Sequence, residues 1–322
     1  MTSTSPTVLD RTLLASFAES RWFTRGWTLQ ELIAPKRVVF CDKNWLIFGH
    51  KDQLADNISQ VTGIPQTVIN FPPQDRAGLT RHPSGLCVAQ RYSWVSKRQT
   101  TREEDMAYCL MGLLRINMPI LYGEGGENAF VRLQTEFARQ NHDQSMLAWS
   151  LSRGNHSINE LRTFSGVFAS SPQGFAGFDA GWEITPDLSR KEAHDHTNLG
   201  LRLVLHILKL PSPLVDDYVA ILELVQRKEL NRQLEFLGIP LMNIPSTSAN
   251  RVPELKFFRR KPYWPLVKLR YDRTKGHYEY LLAEDYVIRL HSANDADVSF
   301  RARTNLGSHQ LAQFYVLDDE NW

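Results

Sequence analysis

Cysteine is scarce in this chain, neither sign of charge is in excess, and no apolar run is long. The three cysteines, Cys41, Cys87 and Cys109, are odd in number, far apart and without metal-ligand spacing. They furnish neither a disulfide framework nor a metal site, and they suit a reducing compartment, the cytoplasm. The 37 basic and 35 acidic side chains leave a formal charge of +2 and are interleaved, which gives no ground for a nucleic-acid partner. No stretch approaches the roughly 18 apolar residues of a membrane span. The first ten residues, rich in Ser, Thr and Pro, lack the charged head and apolar body of a secretory leader. No motif recurs at a fixed period, which sets aside solenoids and propellers.

What is present is the balance of a folded chain: 42% hydrophobic and 22% charged residues over 322 positions, enough for two ordinary domains. Residues 1–15 read as a flexible tail. Helical spacing begins near Leu13, and Gly26 to Ala34 reads as a short helix halted by Pro35. Arg37 to Cys41 and Trp45 to Phe48, joined by Asp42-Lys-Asn44, predict a hairpin. Lys51 to Val61 and Leu86 to Val95 have helical spacing, with a Pro- and Gly-containing loop from Asn70 to Pro83 between them. Thr101-Arg-Glu-Glu104 has the spacing of a capping box for a helix running to Leu114, and a last amphipathic helix carries Phe130, Leu133 and Phe137. Beyond about residue 141 the texture changes to short β-branched and aromatic runs, which predicts a β-rich, sandwich-like part packed against the first.

The densest signal is Ser20-Arg-Trp-Phe-Thr-Arg-Gly-Trp-Thr-Leu-Gln-Glu-Leu-Ile-Ala-Pro35. Further blocks follow in order: Ile64-Pro65, Ala89-Gln-Arg-Tyr-Ser-Trp94, Thr100 to Tyr108, Met111-Gly-Leu, and Asn117-Met-Pro-Ile-Leu-Tyr-Gly-Glu124. Together they resemble the fungal HET (heterokaryon, or vegetative, incompatibility) domain, which carries the first string in mid-domain. The resemblance covers residues 16–140 and implies the C-terminal half of that domain, with the upstream half expected to be missing. It implies an α+β chain: half of a TIR-like α/β HET domain at 16–140, then a β-rich extension at 141–322.

HET domains are distantly similar to TIR domains, some of which cleave NAD with a glutamate in a Trp-Cys-Leu-x-Glu-Leu helix. Trp27-Thr-Leu-Gln-Glu-Leu32 overlays that string and makes Glu31 the catalytic candidate, assisted by Trp27, with Thr28 in place of the cysteine. A carboxylate beside an aromatic wall can orient a ribose hydroxyl and stabilise the cation formed as the nicotinamide bond breaks. The plain reading of Glu31 is a helix-head carboxylate paired with Arg25 or Arg21. Because a doubly wound fold binds nucleotides at several strand ends, loss of the first half leaves a glutamate without its pocket. The resemblance therefore implies two roles. One is a non-catalytic incompatibility-type chain acting in non-self recognition and cell death, paired with itself or with other HET or incompatibility proteins. The other is an NAD glycohydrolase, NAD being substrate and not cofactor, when a complete domain is present.

Other candidates read as structure. Gly123-Glu-Gly-Gly-Glu-Asn-Ala suggests a phosphate loop, but its two glutamates repel phosphate, and a turn before a helix explains it. His194 and His196 lack a third ligand for a metal. Lys256-Phe-Phe-Arg-Arg-Lys-Pro-Tyr-Trp264 interleaves bases with aromatics as some nucleic-acid or membrane surfaces do, and a strand edge guarded by charge and Pro262 explains it equally well. Arg98, Arg102, Glu103, Glu104 and Asp105 read first as a solvated helix head, while the family resemblance implies that this block shapes the domain's interior.

Overall fold

A computed structural model describes residues 11–70, 86–150, 167–178, 181–184, 195–197, 200–209, 217–228, 233–244, 256–260, 266–272, 277–281, 287–289 and 313–316. The tail before residue 11, most of the expected loop (71–85) and His194 lie outside them. The fold is α+β, as expected.

The helices come first: α1 (Arg11–Ala18), α2 (Thr28–Ile33), α3 (Ala55–Thr62), α4 (Gln66–Ile69), α5 (Val88–Ser93), α6 (Asp105–Leu114) and α7 (Gly126–Gln140). A 3-10 turn at Arg21–Thr24 precedes α2, and a two-stranded antiparallel ribbon of β1 (Val39–Cys41) and β2 (Ile47–His50) follows it. The α3 helix ends where Gly63 takes a left-handed φ of 70°, the usual glycine stop. The expected capping box at Thr101 does not form. Residues 101–104 are turns, α6 begins at Asp105, and the Thr100 hydroxyl donates to the Arg102 carbonyl instead.

Strands β3 (Glu183–Ile184), β4 (Asp195–Thr197), β5 (Gly200–Val204), β6 (His206–Lys209), β7 (Asp217–Lys228), β8 (Gln233–Ile244), β9 (Lys256–Arg260), β10 (Val267–Asp272), β11 (His277–Leu281), β12 (Val287–Arg289) and β13 (Gln313–Val316) form one sheet. The long strands β7 and β8 pair antiparallel at its centre. Their outer edges are each shared by two neighbours: β6 and β3 on β7, β9 and β10 on β8. The basic strand β9 is not an edge, because β8 flanks it on one side and β13, in parallel, on the other.

Period-two alternation along β7 buries both faces of the sheet centre. Ala220, Leu222 and Leu224 join the main core with the helices, while Val219, Ile221 and Val225 meet Phe236, Val267 and Leu269 on the other side. That main core runs continuously from Phe23 to Leu241. Side-chain amides seal the junction: Gln134 exchanges two hydrogen bonds with the Ala169 backbone, Gln90 donates to the Trp182 carbonyl, and the Glu223 amide donates to Gln144.

Candidate functional site

The signature string folds into a knot of structural contacts with an exposed outer side. Ser20 accepts from the Trp22 amide and opens the 3-10 turn. Phe23 then packs edge-on to Phe17, with ring centroids 4.9 Å apart. The chain next lies alongside residues 99–100: the Gly26 amide donates to the Gln99 carbonyl at 2.9 Å, and the Gln99 amide to the Thr24 carbonyl at 2.7 Å. A Cβ on Gly26 would stand 2.5 Å from the Thr100 methyl, so this close approach requires glycine.

Within α2 every inward residue has a structural task. Leu29 and Leu32 are fully buried. The Gln30 amide donates to the Cys109 carbonyl at 2.5 Å and ties α2 to α6. The Thr28 hydroxyl lies within donating distance of the Trp22 and Arg25 carbonyls and accepts from the Arg98 guanidinium. Arg98 also donates to the carbonyls of Arg25 and Trp94, and the Lys51 ammonium donates to Leu32 and Pro35 at the helix end. Trp27 and Glu31, the two predicted site residues, face outward from this frame, one turn apart.

An open cleft of about 730 Å³ lies beside them, lined among others by Arg21, Trp22, Arg25, Trp27, Thr100 and Asp105. Trp27 is thus in its wall, whereas Glu31 is not among the lining residues. Among the described residues the Glu31 side chain makes no ion pair, so its expected pairing with Arg21 or Arg25 is not seen. The carboxylate in the cleft is Asp105, at the head of α6. It is nearly buried and accepts from the Tyr122 hydroxyl at 3.0 Å, beneath the Arg102 guanidinium stacked 4.1 Å above the Tyr122 ring. Two guanidinium groups, two indoles and a carboxylate give this cleft the means to hold a planar or charged group.

Arg98 and Glu104 are buried as well, and of the expected solvated head only Arg102 and Glu103 are exposed. Burial pulls the Arg98 guanidinium down to about 10, still charged at neutrality. Glu104 accepts from the amides of Gly123 and Gly125, and hydrogen bonds from backbone amides, its own first, hold its carboxyl below the usual range. The glycines take φ of 98° and 84° so that their amides reach an anion, and the anion is the protein's own carboxylate. Glu124 in the same loop pairs with Arg132 and accepts from the Tyr108 hydroxyl.

Asp143 and Ser145 cap the start of α5 by accepting from the Val88 and Ala89 amides. Burial raises the pKa of Asp143 and, together with the nearby Asp143 charge, pushes Glu223 up to about 7. The thiols of Cys87 and Cys109 are pushed by burial up to about 12, which makes them inert packing groups. Among the described residues no group of three or more His, Cys, Asp or Glu could hold a metal, and no helix is long and apolar enough to cross a membrane.

The chain is 41% identical over 124 residues to the vegetative incompatibility protein HET-E-1 of Podospora anserina, a match covering 38% of this chain and 8% of that protein. It establishes a relationship to a fungal vegetative incompatibility protein. No family model matches the chain, and no solved structure matches it.

Proposed function

We propose that this chain is a cytoplasmic fungal incompatibility-type protein that serves non-self recognition and cell death, an innate-immune role, and acts by assembly and not by catalysis. The carrying observation is the 41% identity to HET-E-1. In this reading residues 1–15 are a tail, 16–140 belong to a TIR-like HET domain, and 141–322 are a sandwich-like extension. The apolar burial on both faces of β7 and the division of each long strand's outer edge between two neighbours support the sandwich. The partners are further copies or other incompatibility proteins, reached through sheet edges.

One observation favours a second reading, NAD cleavage by a complete domain. Trp27 and Glu31 are outward one turn apart, and Trp27 walls a cleft with the exposed Arg21 and Arg25. Glu31 stands outside that cleft, so in this chain the first reading is preferred. Purified chain incubated with NAD is expected to release no nicotinamide, and to form a concentration-dependent oligomer or a mixed complex with a complete HET protein. Nicotinamide release that disappears in a folded Glu31→Ala variant moves the conclusion to the enzyme. A strict monomer that ignores complete HET domains in co-purification removes the assembly reading.

A further inference from the structure

We propose that the tip of the β1–β2 ribbon docks on an anionic lipid bilayer, on the strength of its exposed Trp45-Leu-Ile47 run, its internally bonded turn and its basic flanks. The ribbon is apolar on both faces. On the inner face Phe40 and Phe48 each lie 5.1 Å from the Phe17 ring, within the cluster that includes Trp22 and Phe23. The outer face and the turn carry Val39, Trp45, Leu46 and Ile47 at 45, 85, 66 and 68% exposure. Three consecutive large apolar side chains in water at a turn are not the solvated turn that Asp42-Lys-Asn44 leads one to expect. Trp45 also holds φ at +65°, a left-handed conformation that a bulky side chain rarely adopts and that glycine or asparagine would adopt more cheaply.

The backbone of this turn suits a lipid boundary, where an unpaired amide is costly. The amides of Asn44 and Leu46 donate to the Asp42 carboxylate at 2.8 and 2.9 Å. The Trp45 amide donates to the Asp42 carbonyl and the Asp42 amide to the Leu46 carbonyl, each at 3.0 Å. The one acid of the tip is thereby turned onto its own turn. Lys43 at the tip and Lys36 and Arg37 at the base are exposed, against Asp52 at the base, so the flank is net positive and complements acidic headgroups. A tryptophan followed by aliphatic residues, with basic neighbours, is the composition that settles at the headgroup boundary. A second copy fits less well, because it would bring the basic flanks together and offers a convex tip to a convex tip.

Co-sedimentation of the purified chain with phosphatidylserine–phosphatidylcholine vesicles tests this. The chain is expected to pellet with these vesicles, more weakly with phosphatidylcholine alone, and less as salt rises. Trp45→Ser with Leu46→Ser is expected to cut partitioning by on the order of a hundredfold, and Lys36→Glu with Lys43→Glu by roughly tenfold. All four positions are outward, so circular dichroism of the variants should match the parent. Failure of the folded parent to pellet overturns the proposal, as does pelleting that the Trp45→Ser/Leu46→Ser variant retains. A vesicle-free oligomer dispersed by that variant, with no lipid binding, overturns it in favour of a protein contact.

Discussion

Arg98 is held at 3% exposure with no carboxylate beside it among the described residues, and its charge is spread instead over the carbonyls of Arg25 and Trp94 and the Thr28 hydroxyl. A lone buried cation persists only where its hydrogen bonds are made by groups held for it. Two of those groups, the Arg25 carbonyl and the Thr28 hydroxyl, belong to the signature string; the Trp94 carbonyl lies one turn before Arg98 itself, and among the described residues the buried Nη2 of Arg98 has no hydrogen-bond partner. Within that string Gly26 is the tightest point. The Thr100 methyl that a Cβ would strike is not free to rotate away, because the Thr100 hydroxyl is bonded to the Arg102 carbonyl at 2.6 Å. Gly26→Ala is therefore expected to cost about 1–3 kcal/mol in urea unfolding. Adding Thr100→Ser, which deletes the methyl and keeps the hydroxyl, should restore most of it. A variant as stable as the parent would mean the contact is slack.

Elements whose limits rest on local chemistry were legible in the sequence. Pro35 bounds α2, Gly63 ends α3, and the alternating strand residues anticipate β7. What depends on distant partners was not. The charges of residues 98–105 have the spacing of a solvated helix head, which holds for the exposed Arg102 and Glu103, whereas the burial of Glu104 and Asp105 goes with Gly123, Gly125 and Tyr122, some seventeen or more residues away. Likewise the basic run in β9 suggests an edge, but β13, far along the chain, pairs with it.

The junction of α5 with β7 is another such feature, and it is testable by pH. Glu223 ionises near 7 when folded, against an ordinary value of 4.5. Below the lower value both states are protonated and nothing is lost. Between the two the unfolded chain releases a proton that the folded chain keeps, so stability falls, and above the upper value the deficit is constant. Glu223→Gln should match the parent in stability near pH 4 and exceed it by about 1 kcal/mol at pH 8, screening of its exposed side allowed for. An equal gain at both pH values would remove the titration as its cause.

At the scale of the whole molecule, helices and sheet share one core, so the chain is built to present surfaces of both parts in a set relation. That suits a role in assembly better than a detachable module would. The nearly buried Asp105 lines the cleft and the outward Glu31 does not. The proposed role accordingly lies in what the chain does to another incompatibility protein. The most direct measurement is survival of fungal cells expressing a complete relative such as HET-E-1, with and without this chain, at matched levels. The account predicts that the chain shifts survival and that a Trp27→Ala/Glu31→Ala variant shifts it equally, since neither side chain is needed for assembly. Survival unchanged by the chain, or a shift abolished by that variant while the fold persists, would contradict it.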